Sequence, residues 1–258
     1  MILVGSGRLG SSLARRANER GVTVQVIRRG ETLFLGKEPP RTPVLVAVRN
    51  DDLTSVLAQC PLDRWGDLVF MQNGMLRPWI AEHGLADNSR GIVYFAAAAR
   101  DGEIIEGGRS VFTGPHAAAV VAWFDALGIG ADVVAWTTFA NVEFEKLVWN
   151  SIFGLLSESH GCTVGEVVRY HRAEVAAITD EFLGVGQRAL GVRTDGLSLL
   201  ERLCVYSLSI EGFRGSLREW RWRNGWFVEA AQQFGLAMPV HDAALRRVDA
   251  FRRFASDP

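Results

Sequence analysis

The chain has 258 residues, which at roughly 100–200 residues per domain is enough for one large domain or two modest ones. Hydrophobic residues make up 48% of the sequence and charged residues 22%, an ordinary globular composition that excludes disorder of the chain as a whole. The formal net charge of −1 argues against a protein that binds nucleic acid or anionic membranes, because both partners attract a basic surface.

The first half of the chain alternates between short apolar runs and segments with helical periodicity. The apolar runs show no polar alternation, which is typical of strands buried on both faces of a parallel sheet. We predict strands at residues 2–4, 22–27, 44–48, 68–71, 92–95 and 132–136, and helices at residues 7–20, 53–58 and 117–127. Residues 104–106 and 110–113 predict a hairpin appended to the sheet. This order indicates a doubly wound, Rossmann-type α/β domain.

After Thr137 the character of the sequence changes, and no further strand is predicted. Helical periodicity covers residues 139–156, 173–190, 197–209, 220–234 and 243–254. We therefore predict two domains: an α/β Rossmann-type N-terminal domain over residues 1–137 and an all-α C-terminal domain over residues 138–258.

A glycine motif, Gly5-Ser6-Gly7-Arg8-Leu9-Gly10, follows the first predicted strand and opens the first predicted helix. In the G-x-G-x-x-G pattern the first glycine allows a tight turn, the second admits a pyrophosphate and the third lets helix and strand pack closely. The pyrophosphate would lie on the free N–H groups of the helix N-terminus. The alternative is a plain glycine turn, which this strand–helix context disfavours.

Two arginines, Arg28 and Arg29, end the second predicted strand, where a chain that binds NAD usually carries an acid. Because a guanidinium pairs with a 2′-phosphate, the sequence favours NADP(H) over NAD(H). The alternative is that both arginines are simply solvated. Asn73 and Gly74 follow the fourth strand, where an asparagine side chain suits a cofactor or substrate contact, although Asn-Gly is equally a common turn pair.

Lys146 and Asn150 are spaced i, i+4 and share one face of a strongly apolar predicted helix. Reduction of a ketone by hydride needs an acid that protonates the developing alkoxide, and a lysine in a desolvated site can supply it. The alternative is a surface lysine paired with Glu143. Glu219 either binds substrate or occupies the first turn of a helix, and His160, His171 and His241 show no metal-ligand spacing.

Three cysteines, Cys60, Cys162 and Cys204, lie far apart without a C-x-x-C pair, which predicts buried, reduced thiols rather than a disulfide scaffold or a metal site. No apolar run reaches the ~18–20 residues of a membrane span, and the N-terminal segment lacks the basic region of a signal peptide. We therefore expect a cytoplasmic protein with no membrane and no nucleic-acid partner.

In order and spacing, four blocks of the sequence resemble the ketopantoate reductase (2-dehydropantoate 2-reductase) family almost from end to end. They are the glycine motif at residues 5–10, Gln72-Asn73-Gly74-Met75, the K-x-x-x-N helix at Lys146-Leu147-Val148-Trp149-Asn150, and the ending that runs from Arg218-Glu219-Trp220 through Asn224-Gly225 to residues 235–239. Each block is weak alone, but four in register are fairly specific.

The resemblance implies an NADPH-binding Rossmann domain, a helical substrate or dimerisation domain, and an active site in the cleft between them. It implies that Lys146 is the general acid and that Asn150 and Glu219 hold a small 2-oxo acid and position the lysine. Ser207 would bind the substrate carboxylate, Arg29 the 2′-phosphate, and Arg49 and Asn73 the cofactor or substrate. A homodimer is the implied assembly, and pantothenate biosynthesis the implied pathway.

Three positions depart from the family pattern. Gly154 stands where the family has a second asparagine, Cys204 stands where it has a further substrate-binding asparagine, and Tyr206 replaces the first serine of a pair that ends in Ser207. Each lost hydrogen-bond partner weakens binding of a small polar substrate by ~1–3 kcal/mol. The sequence therefore favours a 2-oxo acid reductase over a ketopantoate-specific one, and leaves open a non-catalytic NADP(H)-binding protein or a reductase of another ketone or imine.

Overall fold

The computed structural model describes residues 1–31, 41–97 and 99–254, and the chain divides into two compact units, Met1–Ala140 and Asn141–Pro258. The sequence predicts a boundary after residue 137, three residues before this division. Part of the proline-rich stretch after the second strand, including Pro39 and Pro40, lies outside the described residues.

The first unit is built on a seven-stranded sheet. Its strands are β1 (Ile2–Val4), β2 (Gln25–Ile27), β3 (Val44–Val46), β4 (Leu68–Phe70), β5 (Ser89–Ile92), β8 (Ser110–Thr113) and β9 (Ala131–Val133). Their order across the sheet is β2-β1-β3-β4-β5-β8-β9. Strands β1 to β5 run parallel, β8 is antiparallel to β5, and β9 is parallel to β8. This sheet confirms the predicted doubly wound α/β domain.

Helices cover the sheet and exclude water from its apolar strands. They are α1 (Arg8–Glu19), α2 (Leu53–Gln59), α3 (Arg77–Glu82) and α4 (Ala117–Ala126). Leu13 and Ala17 of α1 pack with Leu3 and Leu45 of the sheet in one buried core, which continues into Phe124 of α4. Burial on both faces explains why these strands lack polar alternation. Helix α3 has no counterpart among the predicted elements.

The predicted hairpin at 104–106 and 110–113 is wrong. Strand β7 (Ile104–Glu106) pairs instead with β6 (Phe95–Ala97) in a separate two-stranded sheet, and β8 enters the main sheet between β5 and β9. The Gly107 N–H donates to the carbonyl of Tyr94 at 2.7 Å, which extends the pairing of β7 with β6. Phe112 of β8 is completely buried, and that tertiary burial decides its partner strand.

In the second unit the described residues form helices and no strand, as predicted. Helix α5 (Trp136–His160) leads into it, followed by α6 (Val164–Tyr170), α7 (Arg172–Leu190), α8 (Gly196–Ser209), α9 (Asn224–Phe234), α10 (Pro239–Arg247) and α11 (Ala250–Arg253). The sequence predicts no helix at α6, although a capping box between Thr163 and Glu166 stabilises its first turn. Among the described residues, no helix combines the length and the apolarity needed to span a membrane.

A buried polar network fixes the start of α9. Asn224 and His241 are almost completely buried, and His241 Nε2 lies 2.9 Å from Asn224 Oδ1. Burial lowers the pKa of His241 to about 3, so the ring is neutral at physiological pH. A Cβ at Gly225 would lie 2.7 Å from the backbone oxygen of Trp220, in the 3-10 turn Trp220–Trp222. The Asn-Gly pair of the fourth motif block therefore performs a packing role.

Candidate active site

Four sequence-predicted groups share one edge of the main sheet. The glycine motif follows β1, Arg29 follows β2, Arg49 follows β3 and Asn73 follows β4, and these four strands run parallel. Their carboxyl ends therefore meet at the same edge. The chain passes from β1 outward to β2 and then returns to β3 on the other side of β1, which makes this edge a topological switch point.

The glycine motif has the conformation that its pattern predicts. Gly5 has φ +106°, which residues with a side chain rarely adopt. A Cβ at Gly10 would lie 2.0 Å from the Gly5 carbonyl oxygen, whereas a Cβ at Gly7 would meet no atom of the described residues within 4 Å. The first and third glycines are therefore required by the fold, while Gly7 leaves open space beside its backbone.

Helix α1 presents an open N-terminus at this loop. Gly7 is its N-cap, no side-chain cap hydrogen bond is present among the described residues, and the first turn contains no acidic residue. The leading N–H groups of a helix lack intrahelical acceptors and carry partial positive charge. Ser6 is half-buried and Arg8 exposed, whereas the Leu9 side chain packs against the core and can offer a ligand only its backbone. The arrangement suits an anion.

Arg29 and Arg49 converge on one carboxylate. Arg29 Nη2 donates to both Asp52 oxygens, at 2.9 and 2.8 Å, and Arg49 Nε lies 3.8 Å from Asp52 Oδ2. The Arg29 side chain is 80% exposed, so this ion pair is of the weak, solvent-screened kind. The sequence predicts both arginines as cofactor ligands, and Asp52 is a neighbour that it did not single out.

Asn73 lies in a loop that the protein holds in place. The loop is half-buried at Asn73, whose backbone carbonyl accepts a hydrogen bond from Asn50 Nδ2 at 2.8 Å. The preceding residue, Gln72, donates to the carbonyl of Val46 at 2.9 Å. Gly74 has φ +99°, so the Asn-Gly pair does make a turn.

In the second unit, Lys146 of α5 is buried, with 8% of its surface exposed. The surface-lysine alternative is therefore wrong. Its Nζ donates to Tyr206 Oη of α8 at 3.3 Å and lies near the faces of the Trp149 and Tyr206 rings. Burial, together with the positive charge of Arg223, lowers the pKa of Lys146 to about 7.

Asn150 and Glu219 are the other predicted catalytic residues. Asn150 lies one turn after Lys146 on α5, and its Nδ2 is buried without a hydrogen-bond partner among the described residues. Glu219 has the left-handed backbone conformation, φ +50° and ψ +52°, and forms an ion pair with Arg223. Arg223 is largely shielded from solvent, with 14% of its side chain exposed, and burial lowers its pKa. Sequence reasoning missed Arg223 because nothing in its local pattern shows that it is buried.

Ser207 of α8 is predicted to bind substrate, but its hydroxyl is already engaged. It is completely buried, it donates to the Leu203 carbonyl at 2.8 Å, and it accepts from Trp149 Nε1 at 2.9 Å. A serine has one proton to donate, and here the backbone accepts it. Ser207 can therefore donate to a substrate carboxylate only if its hydrogen bond to the Leu203 carbonyl breaks.

The structure shows what surrounds Gly154 and Cys204, two of the residues that depart from the family pattern. A Cβ at Gly154 would lie 2.8 Å from the Ser216 carbonyl oxygen, and a Cβ at Gly215 would lie 2.6 Å from the Phe153 carbonyl oxygen. The 215–216 backbone therefore crosses α5 at Gly154 and leaves no room for a side chain. Cys204 is buried, and burial raises the pKa of its thiol.

The structure also brings together three potential metal ligands whose spacing in the sequence does not indicate a metal site. Potential ligand atoms of His160, His171 and Glu174 lie within 4.8 Å of one another. The two imidazole rings stack with their centroids 3.6 Å apart, and Glu174 pairs with both His160 and Arg247. His160 Nε2 already lies 2.7 Å from Glu174 Oε2, and the Arg247 guanidinium already neutralises the carboxylate, so we interpret the cluster as a structural ion-pair network.

No protein-family model and no curated protein matches this sequence. Solved structures do match: the 2-dehydropantoate 2-reductase of Methylococcus capsulatus has a TM-score of 0.75 at 16% identity, over 100% of this chain and 98% of that one. The ketopantoate reductase of Ralstonia eutropha has a TM-score of 0.71 at 19% identity, over 97% and 98%. A D-mandelate dehydrogenase in complex with NADH has a TM-score of 0.75 at 15% identity, over 96% and 97%. The resemblance predicted from four motif blocks is thereby confirmed at the level of architecture: this chain has the fold of the ketopantoate reductases.

Proposed function

We propose that the protein is an NADPH-dependent reductase of a small 2-oxo acid, similar to ketopantoate reductase, with Lys146 as the general acid. The observation that carries this proposal is the Lys146 amine, which is buried on α5 with a pKa of about 7. A general acid works best when its pKa lies near the operating pH, and lysine reaches that range only by burial or beside other cations. Such perturbed groups concentrate at functional sites.

The edge of the main sheet fits the cofactor. The open space at Gly7 and the free N-terminus of α1 suit a pyrophosphate. The turn itself requires glycine at residue 10, because a Cβ there would clash with the Gly5 carbonyl oxygen. Arg29 and Arg49 are the cations that would bind the 2′-phosphate, which a guanidinium matches with two parallel hydrogen bonds. The carboxylate of Asp52 holds Arg29 at this edge until a phosphate competes for it. The nicotinamide cofactor, when bound, supplies the hydride.

Lys146 supplies the proton. When a carbonyl carbon gains a hydride, its oxygen becomes an alkoxide that must be protonated, and the Lys146 ammonium donates that proton. The positive charge of Arg223 makes the proton easier to give up because it disfavours the ammonium form. The pair of Arg223 and Glu219 keeps that charge at a fixed place.

Asn150 and Glu219 frame the substrate in this proposal. A buried donor without an acceptor costs about 1–3 kcal/mol, and a substrate oxygen at Asn150 Nδ2 would remove that cost. Glu219 has a backbone conformation that non-glycine residues adopt at a cost of about 1–3 kcal/mol, and such strain concentrates at functional sites. In this proposal the Glu219 carboxylate accepts a hydrogen bond from a substrate hydroxyl.

The test is turnover with a panel of 2-oxo acids at pH 6.5. We expect NADPH oxidation with at least one of ketopantoate, small aliphatic 2-oxo acids and phenylglyoxylate, the 2-oxo acid that corresponds to mandelate. Binding of NADPH and NADH is measured separately by fluorescence titration. NADPH binding without turnover on any member would contradict the enzymatic proposal and favour a non-catalytic NADP(H)-binding protein.

Replacing Arg29 by alanine tests the cofactor preference. A hydrogen bond to a charged group contributes about 1.5–3 kcal/mol, so the loss of the guanidinium should weaken NADPH binding by roughly 10- to 150-fold. NADH lacks the 2′-phosphate, and its affinity should change less than about threefold in the same titration. Arg28→Ala is the matched control, because Arg28 faces Glu31 at 3.9 Å rather than Asp52. Equal losses for NADPH and NADH in Arg29→Ala would argue against a 2′-phosphate contact.

A further inference from the structure

Two aromatic rings enclose the Lys146 amine. Its Nζ lies 4.9 Å from the centre of the Trp149 ring and 4.7 Å from the centre of the Tyr206 ring, and the two rings meet edge to face with centroids 5.0 Å apart. An ammonium within about 6 Å of a ring centroid is attracted by the negative face of that ring. Nζ also donates to Tyr206 Oη at 3.3 Å. Both rings therefore interact best with the protonated lysine.

A hydrogen-bond chain holds one of these rings in its orientation. The indole Nε1 of Trp149 donates to Ser207 Oγ at 2.9 Å, and Ser207 Oγ donates to the Leu203 carbonyl at 2.8 Å. Ser207 is completely buried and Trp149 is 7% exposed. Trp149 also stacks on Phe153, one turn further along α5, at 5.7 Å. A buried, fully bonded indole cannot rotate without breaking these contacts.

Opposing forces act on the same amine. Burial removes water from the ammonium, and Arg223, which lies between the 3-10 turn and α9, adds a like charge. Glu219 pairs with Arg223 and partly neutralises it. On α5 itself, Glu143 is buried one turn before Lys146, and from α8 the titratable group is Tyr206, whose pKa burial raises. The neutral phenol of Tyr206 can therefore both accept from the ammonium and offer its ring face.

We propose that Trp149 and Tyr206 form an aromatic clamp that holds the Lys146 ammonium in one position and favours its protonated form, and that Ser207 is a positioning residue that orients the Trp149 ring. The clamp itself is a property of the second unit, and only its catalytic consequence rests on the proposed function. It gives Ser207 a role that its engaged hydroxyl can perform. It also gives a role to Tyr206, one of the residues that depart from the family pattern.

The composition of the chain makes a direct test possible. The protein contains two lysines, Lys37 and Lys146, so protein labelled with ¹³C-lysine gives two side-chain signals, and Lys37→Arg identifies them. A pH titration by NMR then reads the pKa of Lys146 without any substrate. Tyr206→Leu removes ring and hydroxyl, and it should lower the pKa of Lys146 by roughly 0.5–1.5 units, since the ring no longer stabilises the charge. Tyr206→Phe keeps the ring and should lower the pKa by less.

Ser207→Ala should move the pKa of Lys146 in the same direction, because the indole loses the acceptor that orients it. Val205→Ala is the matched control, since Val205 lies on α8 beside Tyr206 but is exposed. Circular dichroism and thermal unfolding establish that each variant is folded. A Lys146 pKa that stays unchanged in folded Tyr206→Leu and Tyr206→Phe would overturn the clamp, and one unchanged in folded Ser207→Ala would overturn the role of Ser207.

The activity measurements separate the two proposals. If the enzyme turns over, the pH at which the rate falls by half should decrease in Tyr206→Leu by the same amount as the NMR pKa. A lowered NMR pKa in a protein that reduces no member of the 2-oxo acid panel would support the clamp and contradict the proposed reductase. Turnover in a protein whose variants leave the Lys146 pKa unchanged would support the reductase and overturn the clamp.

Discussion

Lys146→Ala should lower the turnover of the proposed reductase by about 10²- to 10⁴-fold, the usual contribution of a positioned general acid. NADPH affinity should change by less than about threefold, because the predicted cofactor ligands all belong to the first unit, whereas Lys146 belongs to the second. The measurement is steady-state NADPH oxidation with the best substrate of the panel, beside a fluorescence titration of NADPH. Unchanged turnover would remove Lys146 from the mechanism.

The pH dependence of the same reaction gives an independent reading. The general acid must be protonated, and the pKa of Lys146 is about 7, so the rate should be half-maximal near pH 7 and fall about tenfold per pH unit above it. Lys146→Arg is the control for charge. An arginine keeps the cation, but its pKa lies far above neutrality and makes it a poor proton donor, so this variant should be nearly as slow as Lys146→Ala and should lose the fall in rate near pH 7.

The sequence predicts those parts of the fold that depend on local pattern. Buried parallel strands such as Val44–Val46 are short apolar runs. The loop at Gly5–Gly10 requires glycine where a Cβ would meet backbone atoms, and the G-x-G-x-x-G pattern marks those positions in the sequence. The partners of strand β8 were predicted wrongly. The burial of Phe112, and not the turn that precedes β8, determines which strands it pairs with. Local turn chemistry predicts a hairpin only where the two strands share a face to bury.

Only some residues of the candidate site can be recognised in the sequence. The pair Lys146 and Asn150 is visible because both residues lie on one helix at a fixed spacing. Tyr206, on α8, contacts Lys146 although 60 residues separate them in sequence, and no periodicity reports such a contact. Arg223 is missed for the same reason, since its burial beside Glu219 arises only when the 3-10 turn packs.

Gly154 shows what the sequence alone does not reveal about a substitution. The sequence shows the loss of an asparagine, but only the structure shows that the backbone at Ser216 occupies the space, 2.8 Å from where a Cβ would stand. The absence of a side chain at residue 154 therefore allows the 215–216 backbone to pass this close to α5. In the proposed reductase, we expect that crossing to affect substrate selectivity as well as the missing polar contact.

The glycine motif offers a matched pair of variants that separates the cofactor site from the fold. A methyl group at Gly10 would lie 2.0 Å from the Gly5 carbonyl oxygen, so Gly10→Ala should cost at least about 1–3 kcal/mol of stability and impair NADPH binding together with it. Within the described part of the chain, a methyl group at Gly7 meets no atom within 4 Å, and Gly7 has φ −67°, which alanine adopts readily. Gly7→Ala should therefore cost less than about 1 kcal/mol.

The decisive expectation concerns Gly7, where the added methyl group would stand in the space proposed for the pyrophosphate. Gly7→Ala should unfold within a few degrees of the parent protein but bind NADPH and NADH roughly 10- to 100-fold more weakly, because both cofactors carry the same pyrophosphate. This pattern differs from that of Arg29→Ala, which affects NADPH alone. Thermal unfolding and fluorescence titration on the same samples give both quantities. Normal affinity in a folded Gly7→Ala would show that the dinucleotide, if bound, does not lie on the N-terminus of α1.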